Sequence, residues 1–451
     1  MHSDIIIIGA GPGGYETALE AAHRGKSVTL FNGGALGGTC LNEGCIPTKC
    51  LCRDSEMVMQ FKEADKFGIE DFTFAVDYGK IAARKRETTA QLREGIAMML
   101  KQTGVNVVDA MASFKNASTV VAGGEEYTAD DIIIASGSVS KSLPIPGHDL
   151  ECVMDSTDIL NIEYIPASLT IIGGGVIGME FASIFSGLGS KVTVIEFMKQ
   201  ILPPFDSDIA KRLKQTLSKR GVDIITGAAA KKIERNDDGE ISVTYESKGK
   251  EQTVVSTDLL MAVGRAPRVE GLNLEAAGVE YSPKGIPVDD GMRTNVEHIY
   301  AIGDVNARMM LAHVATFHGI RALNSIDGKS DNIRFDVIPS AVFTQPECGM
   351  AGMTEEECKA KGIEIITGKS FYRANGKALA MGESEGLCKV IFDKESRKLI
   401  GAHIMGADAA LLAQEAVDFM NAGATVEMIK ETIFGHPTLS EVLLSAVHAV
   451  K

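Results

Sequence analysis

The sequence predicts an α/β chain: two parallel-sheet units of dinucleotide-binding type, followed by a smaller α+β unit. Three observations carry this. The stretches DIIIIGAGPGGYETALEAAHRGKSVTLFN and LTIIGGGVIGMEFASIFSGLGSKVTVIE each read as apolar strand, glycine turn, helix and second strand, with first glycines at Gly9 and Gly173. At 451 residues the chain is too long for a single core. From Ile338 onward the crossover pattern gives way to KVIFDKESRKLIGAHIM, two apolar runs around a polar turn that predict a hairpin.

In each crossover unit the turn has the form G-x-G-x-x-G, met by Gly9, Gly11 and Gly14 and again by Gly173, Gly175 and Gly178. Such a turn reverses tightly, lets backbone amides approach a pyrophosphate and packs the helix close to its strand. One match alone is weak, because glycine turns also serve geometry; two in the same context are strong. The unit also wants an acid at the end of its second strand to accept from a ribose hydroxyl. Glu196 fills that place in the second unit, and its charge would repel a 2′-phosphate, so NAD is expected there over NADP. The corresponding residue of the first unit is Asn32, whose neutral amide oxygen predicts a weaker contact.

Between the two units, Tyr78 to Gln102 reads as a helix, and two short strand patterns lead into DIIIASGS. KSLPIPG, with Pro144 and Pro146, reads as a linker. A polar stretch follows the second unit. The strand Asp258 to Val263 then runs into GRAPR, and HIYAIGDV ends at Gly303 and Asp304. ADAALLAQEAVDFMNAG predicts an amphipathic helix that stops at Gly423.

Composition excludes several functions. Asp plus Glu outnumber Lys plus Arg by 60 to 45, a net charge of −15 that repels nucleic acid. Apolar runs such as Ile5 to Ala10 and Leu169 to Ile172 fall far short of the roughly 18 residues of a spanning helix, so no membrane segment is expected. A cytoplasmic setting is expected, or the mitochondrial matrix for a chain that has lost a transit peptide.

Of eight cysteines only Cys40, Cys45, Cys50 and Cys52 lie close together; Cys152, Cys348, Cys358 and Cys388 read as isolated buried thiols. On a regular helix, residues five apart have Cα atoms about 8.7 Å apart, and a disulfide needs less than about 7 Å. Cys40 and Cys45 can therefore bond only across irregular backbone, which Gly44 permits. Zinc would want a second pair of ligands, which is missing, and two unrelated buried thiols is the plainer alternative. Cys50 and Cys52 read as bystanders on the helix that follows.

GGTCLNEGCIPTK resembles the redox motif of the flavin-dependent pyridine nucleotide-disulfide oxidoreductases. The resemblance continues in order through ASGS, GGGVIGMEFAS, AVGRAPR, YAIGDV, LAH and GHPTLSE, nearly the whole chain. It implies two Rossmann-like dinucleotide-binding domains, for FAD and NAD, plus a C-terminal α+β dimerisation domain. The FAD domain would comprise residues 1–142 and 264–332, the NAD domain 143–263 and the dimerisation domain 333–451.

Residue by residue, the positions implied for FAD, tightly but not covalently bound, are Gly9, Gly11, Pro12, Gly13, Gly14, Gly38, Thr39, Lys49, Ala112, Ser136, Gly137, Ser138, Asp304, Met310, Leu311, Ala312 and His313, with Asn32 at the ribose. Those implied for NAD are Gly173, Gly175, Val176, Ile177, Gly178, Glu180, Glu196 and Gly264, with Ala230 a looser match. Lys49 and Glu180 would pair beside the flavin. Cys45 would exchange electrons with the flavin and Cys40 with the substrate sulfur. His436, oriented by Glu441, would be the acid-base group and would reach the site from the partner subunit of a homodimer.

The implied reaction is oxidation of protein-bound dihydrolipoyl groups with reduction of NAD. The implied partners are lipoylated carriers: the lipoyl-bearing subunit of a 2-oxoacid dehydrogenase complex, or the carrier protein of glycine cleavage. The rivals are a thiol or mercuric reductase of the same architecture and a flavin-binding scaffold. Three positions depart from the family pattern: Asn32, the VATFHG after LAH, and Phe434 before GHPT. Thr438-x-x-Glu441 also has the spacing of a capping box opening a helix from Val442 to Val450.

Overall fold

The computed structural model describes residues 1–451. The all-isoleucine run Ile5 to Ile8 is buried on both faces, as a strand between parallel neighbours must be. It lies in the strand His2–Ile8, at the centre of a seven-stranded sheet. Val28–Phe31 and Glu125–Ile134 flank it in parallel, and Asn106–Val108 extends the far edge. A hairpin of Ala112–Asn116 and Thr119–Ala122 joins beyond Glu125–Ile134. Ile299–Ala301 returns from far along the chain to pair in parallel with that same strand. The helix Pro12–His23 covers one face together with Ala312–Ile326, where Gly319 and Thr17 meet closely.

The second sheet repeats the plan. Its five parallel strands run in the order Asp223–Thr226, Lys191–Glu196, Ser168–Ile172, Asp258–Met261 and Val153–Met154. The helix Val176–Leu188 links Ser168–Ile172 to Lys191–Glu196. The polar stretch after this unit is an antiparallel meander of Ala228–Arg235, Ile241–Ser247 and Lys250–Ser256. Ile241, Val243 and Tyr245 alternate inward against the second sheet, with Ser242, Thr244 and Glu246 between them, a period-two pattern.

The third sheet is antiparallel, in the order Ser340–Val342, Cys348–Gly352, Leu399–Met405, Leu387–Asp393 and Ile365–Phe371. The expected hairpin is formed by Leu387–Asp393 and Leu399–Met405. Helices Ala409–Asn421 and Glu441–His448 pack on it. Cys348, Cys358 and Cys388 are buried as expected, whereas Cys152 is only half-buried. No helix is long and apolar enough to cross a membrane.

Candidate active site

The backbone between the two close cysteines is irregular. The short helix Gly38–Asn42 carries Cys40 and stops; Gly44, at φ −150° and ψ −108°, breaks the chain's direction; and the helix Cys45–Lys62 starts on Cys45 itself. Gly37 sits at φ +88° and Gly38 at φ +55°, in the left-handed region that glycine tolerates. A Cβ on Gly38 would lie 2.6 Å from the Cα of Gly11, so the cysteine loop touches the first glycine turn backbone to backbone.

Both thiols are free and within hydrogen-bonding reach of each other. Cys45 is the acidic member, with a pKa lowered to about 7. The Cys40 thiol, donating to its sulfur, contributes most; burial opposes, and the Lys49 ammonium helps again. Cys45 also opens an 18-residue helix, whose positive end favours a thiolate. The same hydrogen bond and burial push Cys40 strongly the other way.

Lys49 lies one turn further along this helix and places its Nζ 2.9 Å from both carboxylate oxygens of Glu180. Burial alone would lower its pKa, but the charge of Glu180 and its hydrogen bond outweigh that and raise it. Two contacts to this pair come from the residue just after the third sheet's strand Ser340–Val342. Phe343 donates its backbone N–H to Glu180 Oε1 at 2.9 Å and sets its ring 4.8 Å from the Lys49 ammonium. Phe343 is a site residue that no sequence signal singles out, because nothing local to VFTQPE marks it.

All of this lines one cavity of about 1510 Å³, bounded by both glycine turns, the cysteines, Lys49 and Glu180. Of the expected cofactor positions only Gly14 and Gly178 do not line it. They lie under the turns, where a Cβ would be 1.8 Å from Gly9 O and 2.0 Å from Gly173 O respectively, so they hold helix against strand. The helices Pro12–His23 and Val176–Leu188 point their first turns at the cavity with neither a side-chain cap nor an acidic residue. Free N–H groups at two helix starts suit two pyrophosphates, so the residues present fit a pair of dinucleotides.

At one end of the cavity, Ser138 donates to Asp304 at 2.5 Å, and Arg265 Nε donates to the Ser138 hydroxyl at 2.7 Å. Glu196 is buried, and its two oxygens accept from the backbone N–H of Gly174 and Met198 at 2.5 and 2.6 Å. Lone pairs remain on both oxygens, so the carboxylate braces the glycine turn while still able to accept from a ribose. Asn32 lines the cavity and donates its amide to Asp109 at 2.8 Å.

His436 and Glu441 are brought together but not to the cysteines. His436 Nδ1 is 3.0 Å from Glu441 Oε1, the imidazole is 78% exposed, and neither residue borders the cavity within this chain. The capping box expected here does not form. Glu441 Oε2 accepts from the Thr438 N–H, but the Thr438 hydroxyl donates to Gly435 O, and the helix starts only at Glu441. Glu441 is thereby committed to holding the histidine loop.

Two glycine-turn units opening on one cavity, with a cysteine pair between them of which one thiol is acid-shifted, define an oxidoreductase that passes electrons between thiols and a dinucleotide. The sequence matches the family described as pyridine nucleotide-disulphide oxidoreductase over residues 3–319, and that family's dimerisation domain over residues 338–447. The chain belongs to this family.

Among similar proteins, the dihydrolipoyl dehydrogenase of Bacillus subtilis (strain 168) is 39% identical over 449 residues, 98% of this chain and 97% of that protein. That of Thermus scotoductus is 40% identical over 451 residues, 99% and 97%. Among solved structures, the HOCl-induced flavoprotein disulfide reductase RclA from Escherichia coli, as its Cu(II) complex, superposes with a TM-score of 0.89 at 30% identity, covering 100% of both chains.

Proposed function

We propose that this protein oxidises protein-bound dihydrolipoyl groups and reduces NAD, using FAD, as a homodimer in which each active site takes His436 from the partner subunit. The observation that carries this is the single cavity shared by the two glycine turns, the Cys40/Cys45 pair and the Lys49–Glu180 pair. Relatives named for this activity, 36% to 40% identical over nearly their whole length, support it. The turn at Gly9, Gly11 and Gly13, with Thr39, Ser138 and Asp304, would hold FAD; the turn at Gly173 and Gly175, with Glu196, would hold NAD. When bound, FAD supplies the two-electron relay between the thiol pair and NAD.

The chain's own residues do the rest. His436 of the partner subunit takes the proton of one substrate thiol, its imidazole steadied by Glu441. The resulting thiolate attacks Cys40 Sγ of the Cys40–Cys45 disulfide, forming a mixed disulfide and releasing Cys45 as thiolate. Lys49 and the helix start hold that charge. The second substrate sulfur then displaces Cys40, closing the lipoyl disulfide. Two electrons and two protons have left the substrate. The Cys40/Cys45 dithiol returns to disulfide as NAD becomes NADH and one proton is released. Glu180 keeps Lys49 in place between the thiols and the second glycine turn.

The test is to mix the purified yellow protein with dihydrolipoamide and NAD and follow NADH absorbance. NADH is expected, and Cys45→Ser is expected to abolish it; undiminished turnover in Cys45→Ser sinks the reading. Mixed dimers of His436→Ala and Cys40→Ser subunits are expected to regain activity, since one of their two sites carries both native groups. A flavoprotein reductase acting on another disulfide, as the likeness to RclA would suggest, predicts little NADH from dihydrolipoamide.

A further inference from the structure

The first glycine-turn unit lacks the carboxylate that its counterpart carries, and the structure contains a substitute. Gly9 N–H donates to Phe31 O at 3.0 Å and Gly173 N–H to Ile195 O at 2.9 Å, so the next residues, Asn32 and Glu196, occupy equivalent places at their strand ends. Glu196 is tied to the backbone of its own turn at Gly174. Asn32 makes no such bond. Its Nδ2 donates instead to Oδ1 of Asp109 at 2.8 Å.

The sheet dictates this meeting. Val28–Phe31 and Asn106–Val108 pair in parallel with Phe31 opposite Val108, and Asn32 N–H donates to Val108 O at 2.9 Å, which sets Asn32 and Asp109 side by side one residue beyond the register. An ionised carboxylate only accepts, so it selects the amide nitrogen and turns the amide oxygen away. That oxygen accepts from nothing in the protein, and it is not among the atoms sealed from solvent. Asn32 is only 7% exposed and lines the cavity, so the cavity is what its oxygen can reach. Asp109 does not line the cavity.

We infer that Asp109 is a positioning residue that fixes the Asn32 amide so that its oxygen accepts from the ribose hydroxyls of FAD, the pair doing the work of the single missing carboxylate. This rests on the FAD reading above. An oriented neutral acceptor backed by a remote charge keeps the ribose contact without burying a carboxylate beside it. It also means that restoring an acid at position 32 alone is harmful, because the carboxylate introduced by Asn32→Asp would face that of Asp109, two like charges at hydrogen-bonding distance.

The experiment is reconstitution of apoprotein with FAD, with the dissociation constant read from flavin fluorescence and apoprotein folding checked by circular dichroism. Asp109→Ala is expected to weaken FAD by about 10-fold, the scale of one charge-assisted hydrogen bond. Asn32→Asp is expected to weaken it at least as much. Asn32→Asp/Asp109→Asn, in which an amide at 109 donates to a carboxylate at 32, is expected to return to within about threefold of the wild type, since the bond is rebuilt with its polarity reversed. If Asp109→Ala binds FAD like the wild type, or the double variant is no better than Asn32→Asp alone, the inference is overturned. Should Asp109→Ala apoprotein unfold, the comparison of Asn32→Asp with the double variant decides by itself. A wild-type protein that binds no FAD at all would instead overturn the functional reading on which this one rests.

Discussion

At Cys45 a few neighbours decide the chemistry. A pKa near 7 requires the Cys40 hydrogen bond and the Lys49 charge to overcome burial, which acts against the thiolate. In the reduced protein, alkylation of Cys45 by iodoacetamide is therefore expected to show a midpoint near pH 7, and Lys49→Met is expected to move it upward by removing the charge. An unmoved midpoint would show that the helix start and Cys40 suffice. His318, within the VATFHG departure, makes a second case. It is buried and neutral, its Nδ1 accepting from the Gly303 N–H at 3.3 Å, directly before Asp304. Burial, then the charges of Arg308 and Arg321, bring its pKa down to about 4. Because the folded pKa lies below the unfolded value of about 6.5, this contribution is complete above pH 6.5 and is lost as pH falls towards 4. The stability difference between the wild type and His318→Gln, from urea midpoints, is expected to be smaller at pH 5 than at pH 7.

Among the secondary-structure elements, the glycine turns do two separate jobs. Gly9 and Gly173, both at φ +113°, reverse the chain. Gly14 and Gly178 let each helix lie against the turn. Gly178→Ala is expected to cost roughly 1–3 kcal/mol by overpacking against backbone that cannot swing away, and to raise the KM for NAD while leaving FAD bound. Gly95 is the contrast: it lies in the helix Tyr78–Gln102 with no positive φ, and a Cβ added there would meet nothing within 4 Å. Gly95→Ala is therefore expected to stabilise by up to about 1 kcal/mol. Paired thermal melts of the two variants check both signs. These elements are legible because each pattern is local: glycine spacing, an apolar run, a helical period. The meander of residues 228–256 is legible only in its middle strand, where Ile241, Val243 and Tyr245 alternate with Ser242, Thr244 and Glu246; the strands on either side bury too few apolar residues to show a period.

For the whole molecule, a buried ion cluster ties the second sheet's unit to the third. Lys389, 1% exposed on the strand Leu387–Asp393, reaches Asp206 at 2.8 Å, Asp208 at 2.9 Å and Glu355 at 3.0 Å. Asp206 caps the helix Ser207–Lys219 and is itself fully buried. Lys389→Met would strand that carboxylate and is expected to cost roughly 3–5 kcal/mol. Adding Asp206→Asn, which keeps the cap, is expected to recover most of it. Chemical denaturation of the two variants tests this, and equal losses would mean the lysine matters for packing instead. No sequence pattern announces the cluster, since Asp206 and Lys389 meet only when two separate units dock.

The sequence alone determined the two dinucleotide-type units, the cysteine pair that needs broken helix between its members, and the C-terminal hairpin and helix. Steric and hydrogen-bonding rules act over a few residues, so they can be read from a few residues. Tertiary structure decided that both uncapped helix starts open on one cavity, that Cys45 and not Cys40 is the acidic thiol, that Phe343 braces Lys49 and Glu180, that Asp109 turns the Asn32 amide, and that His436 stands apart from its own chain's cysteines. The physical reason is that acidity and orientation at a point depend on every charge, dipole and buried wall around it, and packing draws those from parts of the chain far apart in sequence.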